Sequence, residues 1–117
     1  MSNPIKDKSF AFAVRIVKLY KYLCEDKKEF TLSKQILRSG TAVGALYREA
    51  EQAESIADFI HKMAIAQKEC NETIYWLELL FETEYINKKQ FESIHPNAVE
   101  LIKLITAIIK TSKKRKK

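Results

Sequence analysis

Apolar residues recur along this chain every three or four positions, in four stretches separated by short polar breaks. Such spacing places them on one face of a helix. The first stretch covers about residues 4–27, with Asn3 placed to cap it and Pro4 at the first helical position. It carries two stripes. Phe10, Ala13, Val14, Val17 and Cys24 form one, and Phe12, Ile16, Leu19 and Leu23 form the other. Two stripes exceed the needs of a single core-facing helix, so this helix is either central or packs on another subunit. Residues 25–31 read as a connection. A second helix over about residues 33–52 shows Ile36, Gly40, Val43, Tyr47 and Ala50 on one face.

Ser55 and Asp58 form a capping-box pattern that opens a third helix over about residues 56–85. Its apolar face is Phe59, Ile60, Met63, Ala66, Cys70, Ile74, Leu77 and Phe81. Asn87 and Gln90 repeat the capping pattern and open the fourth helix, with Phe91, Ile94, Ala98, Leu101, Ile102, Ile105, Ile108 and Ile109 as its apolar positions. Pro96 falls inside this run, which predicts a kink or break there. Short connections between long helices predict an all-α, antiparallel up-and-down four-helix bundle. The domain limits expected are 1–112 for the bundle and 113–117 for a basic C-terminal tail.

The only two glycines, Gly40 and Gly44, lie inside the second helix and not at turns. Each costs about 1 kcal/mol against alanine in a helix interior. Close helix–helix approach along Ser39, Gly40, Val43 and Gly44 would offset that cost, so both glycines are assigned to helix packing.

At 117 residues with 46% apolar and 31% charged composition, the chain is one globular domain's worth. Two glycines and two prolines are too few for an all-β fold. No apolar run approaches the roughly 18 residues of a membrane span. The first eight residues lack the apolar segment of a secretion signal, so a cytoplasmic location without membrane contact is expected. Cys24 and Cys70 lie within amphipathic patterns, with no CxxC spacing, and are expected to be reduced and buried.

The net charge of +6 is concentrated at one end. Lys113, Lys114, Arg115, Lys116 and Lys117 supply five charges; without them 16 basic residues face 15 acidic ones. Clustered cations of this kind attract phosphates, which makes these five residues the candidate nucleic-acid contacts. A solvated, solubilising tail is the competing reading. Arg38 and Arg48 are further candidate contributors.

Catalytic patterns are sparse. Glu92-x-x-His95 and, more loosely, Asp58-x-x-His61 match half of a di-metal bundle motif, but His95 precedes Pro96 and Asp58 is committed to a cap. Glu51-x-x-Glu54 and Glu69-x-x-Glu72 have the spacing of magnesium-binding carboxylates in helical nucleotide hydrolases. Salt bridges or solvated faces are the favoured account of them: Arg38, Arg48 and Glu49 on the second helix can pair with Glu69, Glu72 and Glu78 on the third. No nucleophile triad, phosphate loop or dinucleotide fingerprint is present. The expectation is a non-enzyme with no metal or cofactor. Tyr75-Trp76-Leu77 is assigned to core or subunit interface rather than base stacking.

The stretches Phe12-Ala13-Val14-Arg15-Ile16-Val17 and Leu32-Ser33-Lys34-Gln35-Ile36-Leu37-Arg38-Ser39-Gly40-Thr41 resemble a known bacterial family. Val43-Gly44-Ala45, Glu49-Ala50, Asp58-Phe59-Ile60-His61-Lys62-Met63, Ala66, Lys68-Glu69, Glu72-Thr73 and Tyr75-Trp76-Leu77 extend the likeness. The family is the four-helix-bundle proteins encoded in intervening sequences of large-subunit ribosomal RNA genes, often labelled ribosomal proteins. The resemblance implies a left-handed bundle that assembles into a homopentamer, with no assigned molecular activity. The similar accessory proteins of diversity-generating retroelements form basic pentameric barrels that engage reverse transcriptase and RNA. Leu46-Tyr47 stand where an Asn-Ile or Asn-Val pair is common in the family. The expected function is therefore a non-catalytic oligomeric bundle that binds RNA or another nucleic acid. A protein-binding scaffold ring is the first alternative, and a metal-dependent nucleotide hydrolase the second.

Overall fold

The computed structural model describes residues 3–116, with side chains through Arg115. Four helices follow one another: α1 (Pro4–Glu25), α2 (Leu32–Glu51), α3 (Ile56–Glu82) and α4 (Lys88–Lys116). Among the described residues there is no strand. Each helix packs on its neighbours in sequence and α4 returns to α1, while among the described residues the diagonal pairs bring no two Cα atoms within 8 Å. Paired positions run in opposite directions across every interface. Ile16 lies against Gly40 and Ser9 against Gly44. Arg38 meets Glu72 and Lys62 meets Glu49. Cys70 meets Ala98 and Gln67 meets Thr106. Arg15 meets Ser93 and Lys8 meets Glu100. The fold is thus an all-α up-and-down bundle, 49 Å along its longest axis.

Local sequence fixes most of the ends. The Asn3 side chain accepts from the Lys6 backbone N–H at 3.2 Å, with Pro4 inside the first turn where its missing N–H costs nothing. Asn87 and Gln90 form a reciprocal capping box: each backbone N–H donates to the other's side-chain oxygen at 2.8 Å. At α3 the box is only half as expected. Ser55 Oγ accepts from the Asp58 N–H at 3.0 Å, but the Asp58 carboxylate takes the N–H of Glu54 rather than that of Ser55.

The start of α2 has a cap that the sequence pattern does not announce. Thr31, the residue before the helix, makes no side-chain cap. Glu29 does the work from further back. Its buried carboxylate accepts from the N–H groups of Thr31, Leu32 and Ser33, the last at 2.7 Å, and Ser33 Oγ donates to the Glu29 carbonyl. Burial alone would raise the Glu29 pKa; the backbone donors and the Ser33 hydroxyl outweigh it and hold it below 4.5. Lys28, just before, adopts φ 53, and Glu84 in the α3–α4 turn adopts φ 68. Both glycines are meanwhile held inside α2, so the left-handed turn positions fall to residues with side chains.

The core is built from the expected faces. Phe12, Ile16 and Leu23 of α1 are buried, as are Ile36, Gly40, Val43, Tyr47 and Ala50 of α2. Met63, Ala66, Cys70, Leu77 and Leu80 of α3 and Ile94, Ala98, Leu101, Ile105 and Ile109 of α4 complete it. Burying each large aliphatic side chain contributes about 1.5–3 kcal/mol. Tyr47, at the position that departs from the common family pair, is buried and receives a hydrogen bond from Asn3 Nδ2 at 3.1 Å. Cys70 is fully buried, its thiol pushed up to about 12 by desolvation. Cys24 is half-buried, and neither cysteine is bonded to the other.

The break expected at Pro96 does not occur; α4 continues through it, and His95 is helical. The proline deprives the Glu92 carbonyl of its N–H partner, but both residues are exposed, so water can serve that carbonyl. One residue on, the Ser93 carbonyl accepts from Arg15 of α1 at 2.8 Å. Buried Ile94, Ala98 and Leu101 hold the segments on either side to the core.

Candidate nucleic-acid interface

Of the five basic residues expected to contact nucleic acid, Lys113, Lys114 and Arg115 lie in the last turns of α4, and all three are exposed. Lys116 ends the helix; its side chain and Lys117 lie outside the described residues. The basic segment thus prolongs α4, so its charges have helical spacing. Cations there also complement the negative end of the helix dipole, which favours continuation of the helix. Among the described residues, none of these three side chains is in an ion pair.

Beside this basic end lies an open groove of about 700 Å3 between the α2–α3 connection and the C-terminal half of α4. Phe59, Leu104 and Ile108 give it an apolar lining, half-exposed Ile56 contributes at the start of α3, and Arg115 and Glu54 are also part of its wall. Sequence reasoning missed this groove. Leu104, Ala107, Ile108 and Thr111 form a second helical stripe on α4 that could have revealed it.

The other candidates are engaged within the bundle. Arg38 donates to Glu69 Oε1 at 3.2 Å and to Glu72 Oε2, and Glu72 also accepts from Trp76 Nε1 at 3.2 Å. The expected cross-helix Arg–Glu pairing is therefore present, and this Glu-x-x-Glu pair faces a guanidinium. Glu51 pairs with Lys6 at 3.4 Å. Arg48 sits 5.5 Å from the centroid of the Phe10 ring, a cation–π contact. Among the described residues no three His, Cys, Asp or Glu side chains converge as metal ligands. His95 stacks on Phe91, which stacks on Phe81, and its Nε2 lies buried without a hydrogen-bond partner, 3.7 Å from Glu78. Leu77 is core and Trp76 half-buried, while Tyr75 is exposed.

Gly40 and Gly44 have the packing role assigned to them, both against α1. A Cβ on Gly40 would come within 2.7–3.0 Å of three Ile16 side-chain atoms. On Gly44 it would lie 3.3 Å from the Ser9 carbonyl and hydroxyl oxygens. Ser39 turns instead to α3 and accepts from Thr73 Oγ1 at 2.9 Å. On the outer side of α1, Phe10, Val14 and Val17 of the first stripe remain exposed.

This architecture defines a helical-bundle protein with a basic helix end. The chain belongs to the family described as 23S rRNA-intervening sequence protein, which matches residues 2–107. It is similar to a protein of unknown function from the S23 ribosomal protein family of Bacteroides thetaiotaomicron, solved by crystallography at 1.70 Å. The two share 63% identity with a TM-score of 0.90, over 91% of this chain and 98% of the other. No functionally curated protein matches the chain. No helix among the described residues is long and apolar enough to cross a membrane.

Proposed function

We propose that this protein is a non-catalytic, self-associating helical bundle of the cytoplasm that binds RNA phosphates through the basic end of α4. The observation that carries the reading is the exposed cluster Lys113, Lys114 and Arg115 on the end of a helix, in no ion pair among the described residues and continued by Lys116 and Lys117 in the sequence. The remainder of the chain is almost neutral, so this end dominates attraction to a polyanion. Self-association, with a homopentamer as the expected form, rests on Phe10, Val14 and Val17. They make an apolar stripe on α1 that a lone bundle leaves in water. Several basic ends in one assembly would bind by avidity.

The test is fluorescence anisotropy with a labelled structured RNA at low and near-physiological salt. Binding by the full chain that weakens with salt and is lost in a chain ending at Ser112 supports the reading. Equal binding by both chains, or none by either, removes it. The apolar groove beside Arg115 favours a second reading, a scaffold that seats a protein partner. That reading predicts a partner retained at high salt and released by Leu104→Asp.

A further inference from the structure

At the opposite end of the bundle, α1 and α4 line a cleft of about 510 Å3. Of the four helix interfaces this one has the fewest close backbone approaches. Three cations line the cleft: Arg15 and Lys18 from α1, and Lys89 from α4. No carboxylate lines it, and among the described residues none of the three is in an ion pair. Glu92 occupies the next turn of α4 but is not part of the wall. Arg15 is held in place by hydrogen bonds to the carbonyl and hydroxyl of Ser93 and to Asn97 Oδ1, all neutral acceptors. Its position is thus fixed while its charge is uncompensated. Tyr22 and the apolar side chains of Leu19 and Ile94 supply a non-polar surface in the same cleft.

We propose that this cleft binds a nucleoside monophosphate unit. Three cations with no acid among them match a dianion better than a monoanion. A phosphate monoester carries about −1.5 to −2 charge at neutral pH, whereas a backbone diester carries one charge. Guanidinium and ammonium donors form charge-assisted bonds to such oxygens. The Tyr22 ring and the aliphatic floor suit the flat, weakly polar base that accompanies the phosphate. The volume falls within the range of about 300–1,000 Å3 typical of small-ligand sites. Lys88 and Lys89 also stand in the first turn of α4 with no acidic residue there, where the helix dipole disfavours cations. A bound anion relieves that conflict. The site is separate from the basic C-terminal end of α4 and does not depend on it.

The phosphate could belong to a free nucleotide or to the 5′ end of an RNA strand. The full chain is titrated against two 3′-labelled short oligoadenylates, one with a 5′-phosphate and one with a 5′-hydroxyl, with AMP added as competitor. The phosphorylated strand is expected to bind about tenfold tighter or more, the scale of one charge-assisted contact. Lys18→Gln with Lys89→Gln changes two exposed lysines that make no hydrogen bond among the described residues, and should bring the ratio to about one. Lys34→Gln with Lys68→Gln, an equal charge change elsewhere, should leave it intact. Displacement by AMP identifies a free nucleotide as the ligand; discrimination without displacement identifies the strand end. Equal binding of the two strands without AMP binding, or a ratio that survives the Lys18 and Lys89 changes, overturns the proposal. Neutralising Lys113, Lys114 and Arg115 lowers affinity for both strands alike, so failure of the RNA reading leaves the ratio as a separate result.

Discussion

The two flanks of α1 are built on opposite principles. Towards α2 the contact is steric: Gly40 has no side chain because Ile16 fills the space where one would go, and Gly44 stands against the Ser9 backbone. Towards α4 the packing is sparse and polar groups bridge the gap, Arg15 to Ser93 and Asn97, and Lys8 to Glu100. The difference shows where this fold tolerates change. A close-packed seam responds to a single methyl group, whereas hydrogen bonds at an open cleft can be exchanged for water at modest cost.

Adding one methyl group should therefore have its greatest effect on the seam. Gly40→Ala gains about 1 kcal/mol in helix propensity, yet overpacks fully buried, β-branched Ile16. A net destabilisation of about 1–3 kcal/mol is expected in urea unfolding. Glu29→Gln, where α1 hands over to α2, should cost about 1–2 kcal/mol at neutral pH by weakening the charged cap. Because folding lowers the Glu29 pKa below 4.5, its stabilisation is complete above that value and is lost as pH falls through the folded pKa. The difference between Glu29→Gln and the parent chain should therefore shrink below about pH 4.

On the loose flank, Arg15→Met should cost about 1 kcal/mol, since the groups it leaves can turn to water. Gly44→Ala is the smallest case. Its Cβ meets Ser9 at 3.3 Å, so the propensity gain and the tight contact nearly cancel, and stability should change by less than about 0.5 kcal/mol.

The seam was legible in the sequence because glycine inside a helix is costly enough to need a reason. The four helices and the Asn3 and Asn87 caps were legible through spacing alone, while of the charged residues expected to pair across α2 and α3 only Arg38 meets Glu69 and Glu72 and Arg48 lies over Phe10 instead. Glu29 was not. Capping patterns place a short polar side chain next to the helix, and Glu29 reaches its donors from before Thr31 only after Lys28 turns left-handed. Of the kink or break expected at Pro96, the break does not occur, for the opposite reason. The local rule prices a lost hydrogen bond, while solvent at Glu92 and the buried neighbours of Pro96 decide the outcome. The basic end was visible as composition, but its helical continuation and the groove beside it depend on how α4 lies against α3. The α1–α4 cleft draws its cations from residues about 70 positions apart, beyond the reach of local motifs.

The most direct test of the functional account is the salt dependence of RNA binding. The dissociation constant is measured across a salt series for the full chain and for Lys113→Gln, Lys114→Gln and Arg115→Gln combined. Loss of three phosphate contacts should flatten the logarithmic slope by about 2–3 and weaken binding at low salt. An unchanged slope with unchanged affinity would contradict the assignment of RNA contact to the end of α4.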